Sequence, residues 1–214
     1  ASLTTILSDF VGRQLDAGQP RAAFERMAIA SAGVVLDGEV INSNLPWRIS
    51  LQELRDTLGL RELHVINDFA AAAHGTRHLD QTESRLLTPG VSVAEAGPAL
   101  VVGPGTGLGA AVCIPHPRGT VVLPTEAGMT AFAPGTEREV EILRWMQRHG
   151  SRHVSTEQLV SGPGLVNLYQ ALSELDCTRP LLRAPAAITE AARVGDPTSL
   201  EAVLTFCGLL GSVI

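Results

Sequence analysis

The run Ala99-Leu100-Val101-Val102-Gly103-Pro104-Gly105-Thr106-Gly107-Leu108-Gly109-Ala110-Ala111-Val112-Cys113-Ile114-Pro115 decides the fold. Ala99 to Val102 reads as a short apolar strand. Glycine then occupies positions 103, 105, 107 and 109. Glycine permits φ > 0 and lets backbone N–H groups approach an anion closely. Thr106 adds a hydroxyl donor. These are the requirements of a phosphate cradle. A second apolar run, Ala110 to Ile114, follows directly, and Pro115 and Pro117 forbid a helix there. The expected unit is strand, glycine loop, strand, a hairpin that grips phosphate from the side. A dinucleotide fingerprint competes, because Gly105, Gly107 and Ala110 fit its loose form and Glu126 lies about 20 residues on. That motif must open a helix, so a nicotinamide-dependent enzyme is disfavoured. On this segment alone, a glycine-rich hairpin without a ligand stays open.

Working outward toward the N-terminus, Leu79 to Pro98 is polar and carries Gly and Pro, which places a domain boundary there. Two α/β domains follow, residues 1–97 and 98–214. In the first, Leu3, Ile6, Leu7, Phe10 and Val11 recur at helical spacing behind Ser2, a good N-cap. Met27 to Ala30 reads as a buried strand. Asp37-Gly38 between Val34–Leu36 and Val40-Ile41 is a hairpin signal. Ser50 with Glu53 forms a capping box. Leu63 to Ile66 reads as a strand running into Asn67-Asp68-Phe69 and a small-residue helix, Ala70 to His74.

Working toward the C-terminus, Val121 to Leu123 is a further strand and the remainder is helical. Thr136 with Glu139 caps a helix expected to present Val140, Leu143 and Met146 on one face. Ser155 with Gln158 makes another box, and Pro163 opens a helix to Leu175. Two more helices follow, around Ala186 to Arg193 and from Ser199 onward. Strands first and helices later in each half indicate α/β units. The chain begins at Ala1 without an initiator methionine and stops in the apolar pattern Phe206 to Ile214, so it is expected to be a piece of a longer protein.

Composition narrows the chemistry. The chain has 214 residues and a formal charge of −6, with no basic block, a poor profile for nucleic-acid binding. No apolar run reaches the ~18 residues of a membrane span. All 16 basic residues are arginine. Lysine-dependent phosphate loops, kinase strand lysines and Schiff bases are therefore excluded for this segment. Cys113, Cys177 and Cys207 lie far apart, which indicates neither a zinc site nor a disulfide framework and suits a reducing cytoplasm.

Three carboxylates stand out. Asp68 follows a strand at the end where open α/β sheets bind ligands, although an Asp before a helix is also a natural N-cap. Glu126 sits among small residues in Pro124-Thr125-Glu126-Ala127-Gly128, which suits close backbone approach or a surface turn. Glu157 lies in a first helical turn, where the dipole alone favours negative charge.

Together, Ile66-Asn67-Asp68-Phe69, Gly105-Thr106-Gly107-Leu108-Gly109, Glu126 before Phe132-Ala133-Pro134, Val154-Ser155-Thr156-Glu157 and Leu159-Val160-Ser161-Gly162-Pro163-Gly164-Leu165-Val166-Asn167-Leu168-Tyr169 occur in this order. The order resembles the bacterial ATP-dependent glucokinase family over nearly the whole chain, with Ser161 to Tyr169 the most family-specific string. The resemblance implies a two-domain α/β fold of the actin-like ATPase (RNase H-like) type, incomplete at both termini. It implies transfer of the ATP γ-phosphoryl to the 6-hydroxyl of glucose or a related hexose, with Mg²⁺. By the same resemblance Asp68 is the general base, Asn44, Asn67, Glu126 and Glu157 hold the sugar, and Gly105, Thr106 and Gly107 hold ATP phosphates. It further implies a homodimer; composition adds the expectation of a cytoplasmic protein without nucleic-acid or membrane partners, and the absence of a His and Cys cluster near Glu126 that of no zinc. The physical logic agrees, since phosphoryl transfer is mainly positioning plus charge neutralisation around one activated hydroxyl.

Three departures qualify the resemblance. The family's N-terminal phosphate hairpin with its metal-associated Asp is absent. So is the C-terminal part that forms much of its adenosine pocket. The position three residues after Glu126, usually a sugar-contacting His, is Met129. Losing one such hydrogen bond weakens sugar binding roughly 5- to 100-fold; a lone Met otherwise usually packs. Two readings stay open: a sugar kinase, and a non-catalytic sugar-binding or regulatory relative with a weakened site.

Overall fold

The computed structural model describes residues 2–32, 34–41, 49–80, 82–88 and 97–214. Its chain divides into two compact units, Ala1–Leu87 and Thr88–Ile214.

The first unit opens with α1 (Leu3–Asp16), capped by Ser2, whose hydroxyl accepts the Thr5 N–H. Strand β1 (Arg26–Ser31) pairs in parallel with β5 (Glu62–Asn67), with Met27 opposite Leu63, Ile29 opposite Val65 and Ser31 opposite Asn67. Alternation puts Met27, Ile29, Leu63 and Val65 against the core of Val11, Val40, Ile49, Leu54, Leu58 and Leu60. Between the two strands lie β2 (Val34–Leu36), β3 (Glu39–Ile41) and β4 (Ile49–Ser50), an antiparallel trio. Asp37 (φ 49°) and Gly38 (φ 80°) are both left-handed, as the Asp-Gly hairpin signal requires. Helix α2 (Leu51–Leu58) is capped by the Ser50 hydroxyl on the Glu53 N–H; the reciprocal half of the expected capping box does not form. Arg21 donates to the Leu58 carbonyl at the other end of α2. Helix α3 (Asp68–Gly75) then leaves the end of β5.

The second unit begins with an antiparallel meander, β6 (Ala99–Pro104), β7 (Leu108–His116) and β8 (Gly119–Thr125). The quoted run is thus a hairpin, and β7 continues extended through Pro115. Four helices follow: α4 (Glu137–Arg148), α5 (Gly162–Leu175), α6 (Pro185–Arg193) and α7 (Pro197–Val213). They share one core, including Leu108, Ile142, Trp145, Leu159, Val160, Leu168, Leu172 and Ile188. The full capping box of Thr136 and Glu139 starts α4. Its buried face differs from the expected one. Ile142, Trp145 and Met146 are buried, Leu143 packs at the edge, and Val140 is outside the core cluster. The i, i+3, i+4 set around the large indole defines the stripe.

Arg138 ties three helices of this unit. Its Nη2 meets both carboxylate oxygens of Asp176 at 2.7 and 2.8 Å, Nε meets Glu201 at 2.9 Å, and Nη1 meets Glu141 at 3.3 Å. These carboxylates, Glu201's hydrogen bond most of all, push its pKa further up. The group is partly solvated, which limits its worth, but one nitrogen is shared by both oxygens of Asp176 and several carboxylates share one cation. Arg138→Gln is expected to cost about 1 kcal/mol and lower the melting temperature by a few degrees. Repeating the melt in 1 M salt should shrink the difference. An unchanged melt at low salt would mean that the network contributes nothing.

Among the described residues no helix is long and apolar enough to cross a membrane.

Candidate active site

Asp68 stands at the carboxyl end of the parallel strand β5, as the first residue of α3. The sequence leaves it open whether Asp68 is merely the helix cap. In the structure the cap is Asn67, whose Oδ1 accepts the N–H groups of Phe69 and Ala70 at 2.9 and 3.0 Å. Asp68 Oδ1 accepts the Phe69 N–H at 2.9 Å, and its second oxygen makes no hydrogen bond among the described residues. The residue is half-buried. Asn67, with its oxygen committed, offers a ligand mainly its amide N–H donors. Asn44 lies outside the described residues.

In the second unit the glycine loop spans 105–107, between β6 and β7. Neither Gly105 nor Gly107 is left-handed, so φ > 0 is not why these positions are glycine. The reason at Gly107 is close approach: a Cβ there would stand 2.6 Å from Glu157 Oε2. At Gly105 a Cβ would meet nothing within 4 Å, so this glycine leaves open space. The Gly105 N–H is used internally, donating to the Gly107 carbonyl at 2.7 Å. The Leu108 N–H donates to Glu157 Oε2 at 3.3 Å. The open donors of the loop are therefore the Thr106 and Gly107 N–H groups and the Thr106 hydroxyl. An anion fits them and is repelled from the Leu108 end by the Glu157 carboxylate.

Glu126 is exposed, just before a single 3₁₀ turn, Ala127–Met129. That turn lies on the start of β7, because a Cβ on Gly128 would collide with the Leu108 carbonyl. The segment after it is stitched to the one before Glu157. Phe132 N–H donates to the Val154 carbonyl at 2.8 Å, and Thr156 N–H to the Thr130 carbonyl at 2.9 Å. Ala131 and Ser155 form an isolated antiparallel bridge. The turns of Glu126 and Glu157 are thereby both fixed around Leu108. Met129 is 54% exposed, so it is not a buried packing residue.

The close backbone approach expected beside Glu126 is made by Gly128 on Leu108, whereas the role of Ser161 was missed. Ser161 caps α5, accepting the Gly164 N–H at 3.0 Å, and its hydroxyl donates to the Glu157 carbonyl at 2.6 Å. The Ser161 to Tyr169 string was its only signal, and that string names no contact. Among the described residues no group of three or more His, Cys, Asp or Glu is placed to hold a metal ion.

The family model for glucokinase matches residues 1–214. The chain belongs to the glucokinase family. A glucokinase-like protein of Xylella fastidiosa (strain 9a5c) is 43% identical over 215 residues, covering all of this chain and 62% of that protein. The glucokinase of Nitrobacter hamburgensis is 39% identical, covering 97% of this chain and 64% of its own. The chain thus spans a little over three-fifths of the length of these curated relatives. Among solved structures, a glucokinase from an Antarctic psychrotroph superimposes with a TM-score of 0.71 at 28% identity, over 91% of this chain and 66% of that one. A Balamuthia mandrillaris glucokinase solved with glucose gives 0.68 at 21% identity, which shows the fold alone. The fold is the actin-like ATPase type, as the family's motifs imply.

Proposed function

We propose that the protein containing this chain transfers the γ-phosphoryl group of ATP to the 6-hydroxyl of glucose or a close hexose. The observation that carries the reading is Asn67 acting as the cap of α3. It leaves Asp68 at a strand's carboxyl end with one carboxylate oxygen unpartnered among the described residues, as a general base needs. Asp68 takes the proton of the 6-hydroxyl as that oxygen attacks phosphorus. Asn67 donates its amide hydrogens to a ring oxygen, while Glu126 and Oε1 of Glu157 accept ring hydroxyls. Asn44 adds a further sugar contact. The Thr106 and Gly107 donors bind ATP phosphates, and Gly105 keeps the approach open. This division of labour is positioning and charge neutralisation, which carries most of phosphoryl-transfer catalysis.

Mg²⁺, which neutralises phosphate charge when bound, finds no side-chain cage among the described residues. It fits here as an ion carried mainly by the nucleotide phosphates and water, its usual mode. We read the two units as parts of the two domains, 1–97 and 98–214, of a cytoplasmic glycolytic enzyme. Family resemblance adds a homodimer, and the acidic charge balance and lack of a long apolar run add the expectation of no nucleic-acid or membrane partner. ADP release by the intact protein with ATP, Mg²⁺ and a hexose panel tests the reading. Turnover with glucose or another hexose supports it. A folded protein that turns over none of them defeats it.

Met129 favours a second reading, a sugar-binding regulator, because an exposed methionine stands where the family usually has a sugar-contacting His. Met129→His is expected to tighten glucose binding roughly 5- to 100-fold, read by calorimetry. An unchanged affinity would remove Met129 from the sugar site. Glucose binding in the wild type without ADP release on any hexose would favour the regulator.

A further inference from the structure

We infer that the segment Glu157–Gly164 clamps the glycine loop and couples the sugar site to the phosphate site through one carboxylate. The inference rests on the glucokinase reading and goes beyond it, because that reading gives Glu157 to the sugar and the loop to ATP as separate duties.

The clamp has two jaws. At one end of the loop, Glu157 Oε2 accepts the Leu108 N–H at 3.3 Å and fills the space a Gly107 Cβ would take. At the other end, the Gly162 N–H donates to the Gly105 carbonyl at 2.8 Å. Both jaws belong to one short stretch, and the stretch is rigid. Leu159 and Val160 are fully buried. Ser161, only 2% exposed, holds the Glu157 carbonyl on one side and the Gly164 N–H on the other. Gly164 lies so close that a Cβ would come within 2.5 Å of the Leu159 backbone. Ser161 is therefore a positioning residue: it reaches neither ligand but fixes the backbone that aims Glu157.

The chemistry of coupling follows from the two oxygens of Glu157. Oε2 is spent on the loop, and Oε1 has no partner among the described residues. A ring hydroxyl donating to Oε1 fixes the carboxylate, which in turn fixes Leu108 and the adjoining Thr106 and Gly107 donors. Sugar binding thus lowers the ordering cost of the phosphate cradle. By linkage, nucleotide must tighten sugar binding by the same factor. We expect ~10-fold, within the usual range for such coupling.

The test is calorimetry on the intact protein, with glucose and a non-hydrolysable ATP analogue plus Mg²⁺, each titrated with and without the other. Gly107→Ala is the decisive variant, because position 107 is not left-handed and the described protein atoms an added methyl would meet within 4 Å all belong to the Glu157 carboxylate; the Glu157→Ala background separates that displacement from any direct contact with phosphate. It should raise the glucose dissociation constant about tenfold, the loss of one charge-assisted hydrogen bond's worth of fit. It should also cut the coupling to under twofold. In a Glu157→Ala background the same change should not weaken glucose further. Should Gly107→Ala fail to fold, Ser161→Ala serves, with the coupling reduced while every ligand-facing group is retained.

A wild type that binds both ligands without coupling overturns the clamp and leaves the kinase reading standing. So does a Gly107→Ala effect on glucose that persists in full without Glu157. A wild type that binds neither ligand defeats the kinase reading and the clamp with it.

Discussion

Asp68→Asn in the intact protein is expected to lower kcat by about 10²- to 10⁴-fold, the usual contribution of a positioned general base. The substitution keeps the shape and one acceptor oxygen, so the bond from the Phe69 N–H survives. The helix keeps its start as well, because Asn67 is the cap. What is lost is the basic oxygen and a negative charge in the first turn, the latter worth about 0.3–1 kcal/mol of helix stability. The expected pattern is a collapse of kcat with a glucose KM within a few-fold of wild type and a melt lowered by only a few degrees. That split separates loss of the proton acceptor from loss of binding. A kcat within twofold of wild type would sink the assignment. Asn67→Ala provides the contrast: removing two capping bonds should cost about 1 kcal/mol of stability and weaken sugar binding.

The hairpin and the Asn-Asp turn were legible for local reasons. Pro115 and Pro117 exclude a helix after the glycines whatever the tertiary context, and β7 runs extended through Pro115. Asp37-Gly38 demands a left-handed pair, and the backbone supplies it. Identity of the capping residue was not legible, since Asn67 and Asp68 are both good caps and only the entry angle of the helix selects between them. Of the two reasons for the glycines, φ > 0 does not hold at 105 or 107. The glycine at 107 leaves room for the Glu157 carboxylate, 50 residues away in sequence, and no pattern within the loop encodes a partner so distant. The buried face of α4 failed similarly. Spacing alone offered a stripe through Val140, Leu143 and Met146, but Ile142 and Trp145 pack against α5, rotating the buried face.

Gly128→Ala is expected to destabilise the second unit strongly for a single added methyl. The added Cβ would collide with the Leu108 carbonyl and press on the Leu108 side chain, which is itself buried in the core. Backbone oxygen within a strand ladder cannot swing aside as a side-chain tip can. Relief requires shifting the turn Ala127–Met129, and that turn is pinned onward through Thr130 to Thr156 and through Phe132 to Val154. Overpacking of this kind costs about 1–3 kcal/mol and occasionally more. For a unit of this size a cost near the upper end lowers the melting temperature by roughly 10 °C. Function should fail in a particular way. Glu126 is displaced with the turn, and Leu108, which anchors Glu157, is displaced with the strand, so glucose affinity should fall more than affinity for the ATP analogue. Thermal unfolding and paired titrations of the folded variant at low temperature read both effects. Wild-type stability would mean that the turn yields freely, and the packing of Gly128 on Leu108 would then not be what positions Glu126.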